Sequence, residues 1–547
     1  MKRLSNAIRF LFETFLFSIF AGCSLIFLTV SIIPAIIRKV YTSSKSKDLK
    51  RILHSTQNYE EWLEAAIALD KEAGVLDWRR TNSSSLYDYK YIERIISFME
   101  EFMAQNKTRE LIHLTRSILM RNFFGINDQK LFTYCFSGTK DLVERFFATV
   151  EKSLDSIYNS EDPQKYEFFL EARHFFGRSG LMLSGGASFG MFHLGLVSAL
   201  LRFNMLPKIL CGASSGSLIA SLVATKSDEE LRSLAENDFT TLDFSAFDHI
   251  SGKHSFLRKI RRFFEKGYFI ETRPLAEFAK ANTSNLTFAE AFKKTRRVLN
   301  ITVTDSHYQK CRILNYLSAP NVYIWSAAVA SCAFPIAYSP VRIVSKGPEG
   351  AEEAEWMPDE RYFIDGSLGA DLPMRSIATL FNVTNFIVSQ VNLHLLPFTR
   401  RSYYHINSFK YSLYRGVELI LGFFMSELIH RLRQLEELHL IPEVLSTFIN
   451  LFLQEYFGNV NICPAYDFKD ILYIFSNPNK EIIRKWTQRG RNRTFFHKKQ
   501  IEDFAKIENK LSFCANQLQS KRKQDASMRK DLSREFFERE QSSYKPA

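Results

Sequence analysis

The chain lacks any C-x-x-C pair, and its seven cysteines, at 23, 135, 211, 311, 332, 463 and 514, are an odd number. That argues against a disulfide framework and against a zinc cluster, and it predicts reduced thiols in a body facing the cytosol. A C2H2 spacing, a basic zipper and an RNP-like aromatic string are also missing. The surplus of 72 Lys+Arg over 59 Asp+Glu, a net +13, therefore has no nucleic-acid motif behind it and points to an anionic lipid surface instead. Hydrophobic residues at 46% and charged residues at 24% exclude wholesale disorder and a polytopic membrane protein. A length of 547 residues predicts two or three structural units. The one excess is phenylalanine, with 50 residues, which suits a lipid-facing surface or pocket and equally a core filled with Phe.

Charge is missing altogether from Thr14 to Ile37, a run long enough to cross the roughly 30 Å hydrocarbon layer as a helix. It is too long for a secretory signal. Downstream stand Arg38, Lys39, Lys45, Lys47, Lys50 and Arg51 against Asp48, and upstream Lys2, Arg3 and Arg9 against Glu13, which predicts a cytosolic C-terminal body. Pro34 and the cations on both sides leave a hairpin within one leaflet as the other arrangement. Residues 1–49 are thus predicted to be a membrane anchor and its basic flank. Strand-like alternation is scarce from 50 to 176, where YEEWLEAAIALDKEAG repeats apolar residues at helical spacing and stops at Gly74, so a helical domain is expected. An α/β domain is expected over 177–400, a helical region over 401–516 and a charged, mobile tail over 517–547. In HSFLRKIRRFFEKG, from His254 to Gly267, apolar and basic residues fall on opposite helical faces, the pattern of an interfacial helix or of a helix packed on the core.

Chemistry-bearing patterns begin at Leu181. LMLSGGASFGMFHLG reads as a strand, a glycine-rich turn and a helix, and ILCGASSGSLIASLVA repeats the order. In the second unit Gly212-Ala213-Ser214-Ser215-Gly216 is a G-x-S-x-G, with a strand before it and a helix after it. That context puts Ser214 on a sharp turn, and Gly212 and Gly216 remove the Cβ atoms that would block close backbone approach. A hydroxyl needs a base. Of the histidines after Ser214, at 249, 254, 307, 394, 405, 430, 439 and 497, only His394 follows a convincing strand, and its setting suits a packing role equally well. Asp365 ends the predicted strand RYFI and precedes Gly366, so its carboxylate is expected at the carboxyl edge of the sheet, where burial raises a carboxylate's proton affinity. Gly185, Gly186 and Ala187 let main-chain N–H groups converge on an oxyanion. A P-loop Lys-Ser/Thr and a ribose-holding acid are both missing, which disfavours nucleotide binding. Further strands are predicted at Leu299–Asp305 and Asn385–Asn392.

These motifs, in this order, resemble the patatin-like serine hydrolases, and in particular their triacylglycerol lipase branch. The resemblance rests on SGGASFGMFHLG from Ser184, CGASSGSLIAS from Cys211, LTFAEAFKKTRRVLNITV from Leu286 and the run FIDGSLGADLPMRSIATLFNVTNFIVSQVNLHLLPF from Phe363. It implies a three-layer α/β/α core with a mainly parallel sheet, flanked by N- and C-terminal helical regions behind the membrane segment. It also implies Ser214 as nucleophile, Asp365 as base, Gly185, Gly186 and Ala187 as oxyanion loop, and no metal or organic cofactor. Ala187 stands where the family usually has a third Gly, and the H-x4-D acyltransferase pattern of some members is missing. The activity implied is hydrolysis of triacylglycerol at an endoplasmic reticulum or lipid-droplet surface, with no nucleic-acid partner. A phospholipase or lysophospholipase using the same dyad and a catalytically silent lipid-binding protein are the alternatives.

Overall fold

The computed structural model describes residues 44–242, 261–262, 264–308, 310–335, 337–347, 354–357, 361–395, 454–466 and 477–543, with isolated positions between 423 and 438 and Asp470. They fall into two compact units. One comprises Met1–Val75, Thr133–Ser137 and Ser179–Lys498, the other Leu76–Phe132, Gly138–Arg178 and Lys499–Ala547.

The first unit is built on a sheet of seven strands: β1 (Arg178–Leu183), β2 (Ile209–Gly212), β3 (Val298–Asp305), β4 (Cys311–Leu314), β7 (Phe363–Asp365), β8 (Val383–Ser389) and β9 (Val460–Ile462). A separate two-stranded ladder joins β5 (Val344–Ser345) to β6 (Ala354–Glu355). The spatial order is β4-β3-β2-β1-β8-β9, with β7 also paired to β3. β1, β2 and β3 run parallel, as do β8 and β9, whereas β4 and β7 are both antiparallel to β3. Burial follows from that position. Every residue of β2 and β3 is buried, as expected of strands covered on both faces.

Asn300 in β3 is satisfied locally: it donates through Nδ2 to the Leu210 carbonyl at 3.1 Å and accepts from Asn315 at 3.0 Å. Helix Ser215–Thr225 packs on β2 and is buried at every residue but Leu218. Its hydroxyls do not compete with the helix, because Ser217, Ser221 and Thr225 each donate to the carbonyl three or four residues back, at 2.7, 2.6 and 2.9 Å.

Helices Ser44–Ser55 and Tyr59–Glu72 belong to this unit. Trp62, Ala65, Ala66 and Leu69 join Phe136, Ala199, Phe495 and Phe496 in one apolar cluster, and the buried Asp70 carboxylate accepts the N–H groups of Phe136 and Ser137 at 3.0 and 2.9 Å. The strand β9, supplied by residues beyond 400, completes the sheet edge.

In the second unit helices Tyr89–Ala104, Thr108–Ile118, Asp141–Asn159 and Lys165–Phe176, with the part of helix Lys480–Ser543 from Lys499 onward, bury a core rich in phenylalanine, including Phe123, Phe146, Phe147, Phe168, Phe169, Phe176 and Phe504. The phenylalanine excess is therefore spent partly on this core. Helix Lys480–Ser543 runs through most of the segment where a mobile tail was expected.

Among the described residues no helix is long and apolar enough to cross a membrane. The expected membrane segment Thr14–Ile37 lies outside the described residues, as does most of His254–Gly267. Of the latter, Arg262 is held against the protein: its guanidinium donates to the Phe269 carbonyl at 3.2 Å and lies 3.5 Å from Glu271.

Candidate active site

β2 ends at Gly212, and helix Ser215–Thr225 begins three residues later, so Ser214 occupies the turn between them. Its backbone sits at φ 49° and ψ −128°, a conformation that L residues rarely adopt and that costs about 1–3 kcal/mol. The neighbours hold it there. A Cβ on Gly212 would lie 2.4 Å from the Gly216 carbonyl oxygen, and one on Gly216 would lie 2.1 Å from the Leu183 carbonyl oxygen, so only glycine fits at either position. The Ser214 N–H donates to Ser331 Oγ at 2.9 Å. Ser214 is partly exposed while its neighbours in the turn are buried.

Asp365 reaches the same point by another route. β7 is antiparallel to β3, so Asp365 does not project from the end of a parallel strand as the sequence pattern suggests. Val303 pairs with Asp365 and Ile301 with Gly212, while the other edge of β3 is taken by β4. β2 and β7 therefore lie end to end along one edge of β3. Asp365 is 1% exposed, and its carboxylate accepts the Ser367 N–H at 2.8 Å and the Ser367 hydroxyl at 2.7 Å, with the Ser214 side chain near enough to favour the charged form. Burial pushes its pKa up to about 6 despite these bonds. Gly366 is required next to it, since a Cβ there would lie 2.1 Å from the Thr302 carbonyl oxygen.

The segment Ser331–Ala333 ties the two together. Ser331 Oγ accepts the Ser214 N–H, and the Ala333 carbonyl accepts the Asp365 N–H at 3.0 Å. Between them the Cys332 thiol, buried and close to the Asp365 charge, is held well above its ordinary pKa and stays protonated. Nothing in the small-residue run AVASCAF marks this clamp in the sequence.

The loop Gly185-Gly186-Ala187 lies against the Ser214 turn, with a Cβ on Gly185 only 3.1 Å from Ser214 Cβ. Gly186 has φ 153° and packs on Val391, while Ala187 adopts φ 49°, the left-handed region, at a cost of about 1 kcal/mol for a residue with a Cβ. The three amides differ in use. The Gly185 N–H donates to Asp371 Oδ1 at 2.9 Å, whereas among the described residues no hydrogen bond is formed by the N–H of Gly186, Ala187 or Ser215. Three uncommitted amides and the positive end of helix Ser215–Thr225 thus lie around the Ser214 turn.

Two residues at this edge escape a search confined to histidines after Ser214 and to the D-G pair. Asp371 is one. The other, His193, is fully buried and bridges two strand ends, with Nδ1 2.7 Å from Ser389 Oγ and Nε2 3.0 Å from the Ser184 carbonyl oxygen. Burial lowers its pKa to about 4, and both nitrogens are engaged. It pins the start of the glycine loop to β8. The side chain of His394 lies outside the described residues.

Fold and site define an α/β protein with a strained strand-turn-helix serine and a carboxylate delivered to the same sheet edge. Residues 181–377 match the family model described as patatin-like phospholipase, and residues 39–174 match a domain of unknown function (DUF3336). Among similar proteins, triacylglycerol lipase ptl3 of Schizosaccharomyces pombe is 30% identical over 82% of this chain and 93% of its own. Triacylglycerol lipase 5 of Saccharomyces cerevisiae is 31% identical over 80% of this chain, and triacylglycerol lipase SDP1L of Arabidopsis thaliana is 32% identical over 88%. The chain spans 61% of the length of each of these last two relatives. The chain belongs to the patatin-like phospholipase family.

Proposed function

We propose that this protein is a serine lipase that hydrolyses the acyl esters of triacylglycerol through Ser214 and Asp365. The observation that carries the reading is the juxtaposition of a partly exposed serine on a strained turn with a buried carboxylate of raised proton affinity at the same edge of β3. Asp365 accepts the Ser214 proton as Oγ bonds to the ester carbonyl carbon, and the carbonyl electron pair moves to oxygen. That oxyanion is stabilised by main-chain N–H groups of the glycine loop and of the helix start, a contribution of a few kcal/mol. Collapse expels the glyceride alkoxide, which takes the proton from Asp365. Water, deprotonated by Asp365, then releases the fatty acid from Ser214 by the same steps in reverse order. No metal or organic cofactor enters this sequence.

The names of the relatives in two yeasts and a plant support triacylglycerol as substrate. The description of the matched family model favours phospholipid, so both substrates belong in one assay. Purified full-length protein is expected to release fatty acid from triacylglycerol faster than from diacylglycerol or phosphatidylcholine, and Ser214→Ala to release none. Faster release from phosphatidylcholine overturns the substrate, and an active Ser214→Ala overturns the nucleophile.

The uncharged run Thr14–Ile37 with its basic flank supports residence on an endoplasmic reticulum or lipid-droplet surface, with the hydrolytic unit on the cytosolic side. A truncation starting at Lys39 should lose flotation with lipid, and flotation equal to the full chain removes the anchor from the proposal.

A further inference from the structure

Asp371 is fully buried, follows the short helix Gly366–Ala370, and is used by neither step above. Both of its carboxylate oxygens act as acceptors: Oδ1 takes the Gly185 N–H at 2.9 Å and Oδ2 takes Asn392 Nδ2 at 2.7 Å. Its own N–H donates to Gln454 Oε1 at 2.7 Å, and Gln454 returns Nε2 to the Ser367 carbonyl at 2.8 Å. Two donors and no acceptor around the carboxyl are the surroundings of an ionised group. The Gly185 amide is thereby committed, and it belongs to a residue on which a Cβ would lie 3.1 Å from Ser214 Cβ.

Resting on the Ser214–Asp365 reading, we propose that Asp371 is a positioning residue of the hydrolytic centre. It removes the Gly185 N–H from the set of oxyanion donors and holds the loop so that the Gly186, Ala187 and Ser215 amides line the site. The bond it makes fixes the direction of the Gly185 peptide, and with it the two amides that follow. A loop displaced by an ångström loses much of its effect on the transition state while still admitting substrate. The ionisable groups facing Asp371 are Asp365, Cys211 and Tyr456. Burial, followed by the Asp365 charge, raises its pKa to about 7 against the pull of the Gly185 bond, so loop and base ionise in neighbouring pH ranges.

The test uses the full chain and a soluble p-nitrophenyl butyrate assay, with thermal unfolding to confirm folding. Asp371→Ala should lower kcat about a hundredfold with little change in KM. Asp371→Asn keeps an acceptor for Gly185 but sets its amide against that of Asn392, so kcat should fall about tenfold. Pairing Asp371→Asn with Asn392→Asp restores donor to acceptor and should recover most of that loss. The acid limb of kcat/KM should be steeper than a single ionisation in the native protein and single in Asp371→Asn. If Asp371→Ala fails to fold, the Asn variant and the paired variant decide. The proposal is overturned by a kcat within twofold of native in a folded Asp371→Ala, or by a paired variant no better than Asp371→Asn. Hydrolysis by Ser214→Ala, run alongside, would instead overturn the reading beneath it.

Discussion

Asp365 pairs with Val303 two residues beyond the point where Gly212 pairs with Ile301, so one edge of β3 carries both the end of the serine strand and the carboxylate. Two residues of strand correspond to about 7 Å, and the Ser214 turn follows directly on Gly212 at that edge. The relative placement of Ser214 and Asp365 is therefore set by β3 as a ruler and by the Ser331–Ala333 clamp, which holds Ser214 N–H through the Ser331 hydroxyl and Asp365 N–H through the Ala333 carbonyl.

Ser214→Ala and Asp365→Asn should each lower hydrolysis by about a thousandfold or more, and the double variant should be no worse than either, because groups that act as one unit give non-additive losses. Steady-state kinetics on a soluble ester, with fluorophosphonate labelling of Ser214, reads this out. Losses that multiply would separate the two residues mechanistically.

Activity should rise with pH through about 6, since Asp365 accepts a proton only when ionised and burial holds its pKa there. With Asp371 at about 7 beside it, the observed inflections belong to the pair. A pH–rate profile that is flat from 5 to 8 would exclude Asp365 as the base.

The same shift acts on stability with a fixed sign. The folded pKa of Asp365 lies above the unfolded value of 3.8, so between about 4 and 6 the folded protein binds more protons. Its contribution to stability is most favourable at acid pH and declines as pH rises through 6. Thermal unfolding of Asp365→Asn should show a shallower decline over that window than the native chain.

Ala187→Gly should leave hydrolysis nearly unchanged and raise stability by no more than about 1 kcal/mol, because relief of the left-handed strain is offset by the entropy glycine brings to the unfolded chain. Gly216→Ala should fail to fold or lose all activity, as its Cβ would lie 2.1 Å from a carbonyl oxygen. Urea unfolding of both variants measures the contrast.

Lys140→Met in the second unit should destabilise by about 2–4 kcal/mol without affecting hydrolysis by folded molecules. Lys140 is 1% exposed, and its ammonium donates to the carbonyls of Trp78 and Thr81 at 2.7 and 2.6 Å, which methionine would leave unpaired. Denaturant midpoints compared with activity at low temperature test it.

What the sequence by itself determined lies within a few residues of each motif. A strand ending at Gly212, glycines at 212 and 216, a serine on the turn and an apolar helix behind it are local consequences of backbone sterics and burial. The strands at Val298–Asp305 and Val383–Ser389 are legible for the same reason, since apolar and β-branched runs suit a sheet buried on both faces. Only the tertiary structure decided the rest, because it depends on partners far apart in the chain. Asp371 lies 186 residues from the Gly185 amide it holds, Ser331 is 117 residues from Ser214, and His193 joins the Ser389 hydroxyl at the end of β8 to the Ser184 carbonyl just past β1. The antiparallel approach of β7 is another such case, since a three-residue strand carries no register signal of its own and its register is seen only in its pairing with β3. Sequence pattern reports which side chains favour a strand or a turn, but a hydrogen bond between distant residues exists only once the chain has folded to bring donor and acceptor within 3 Å.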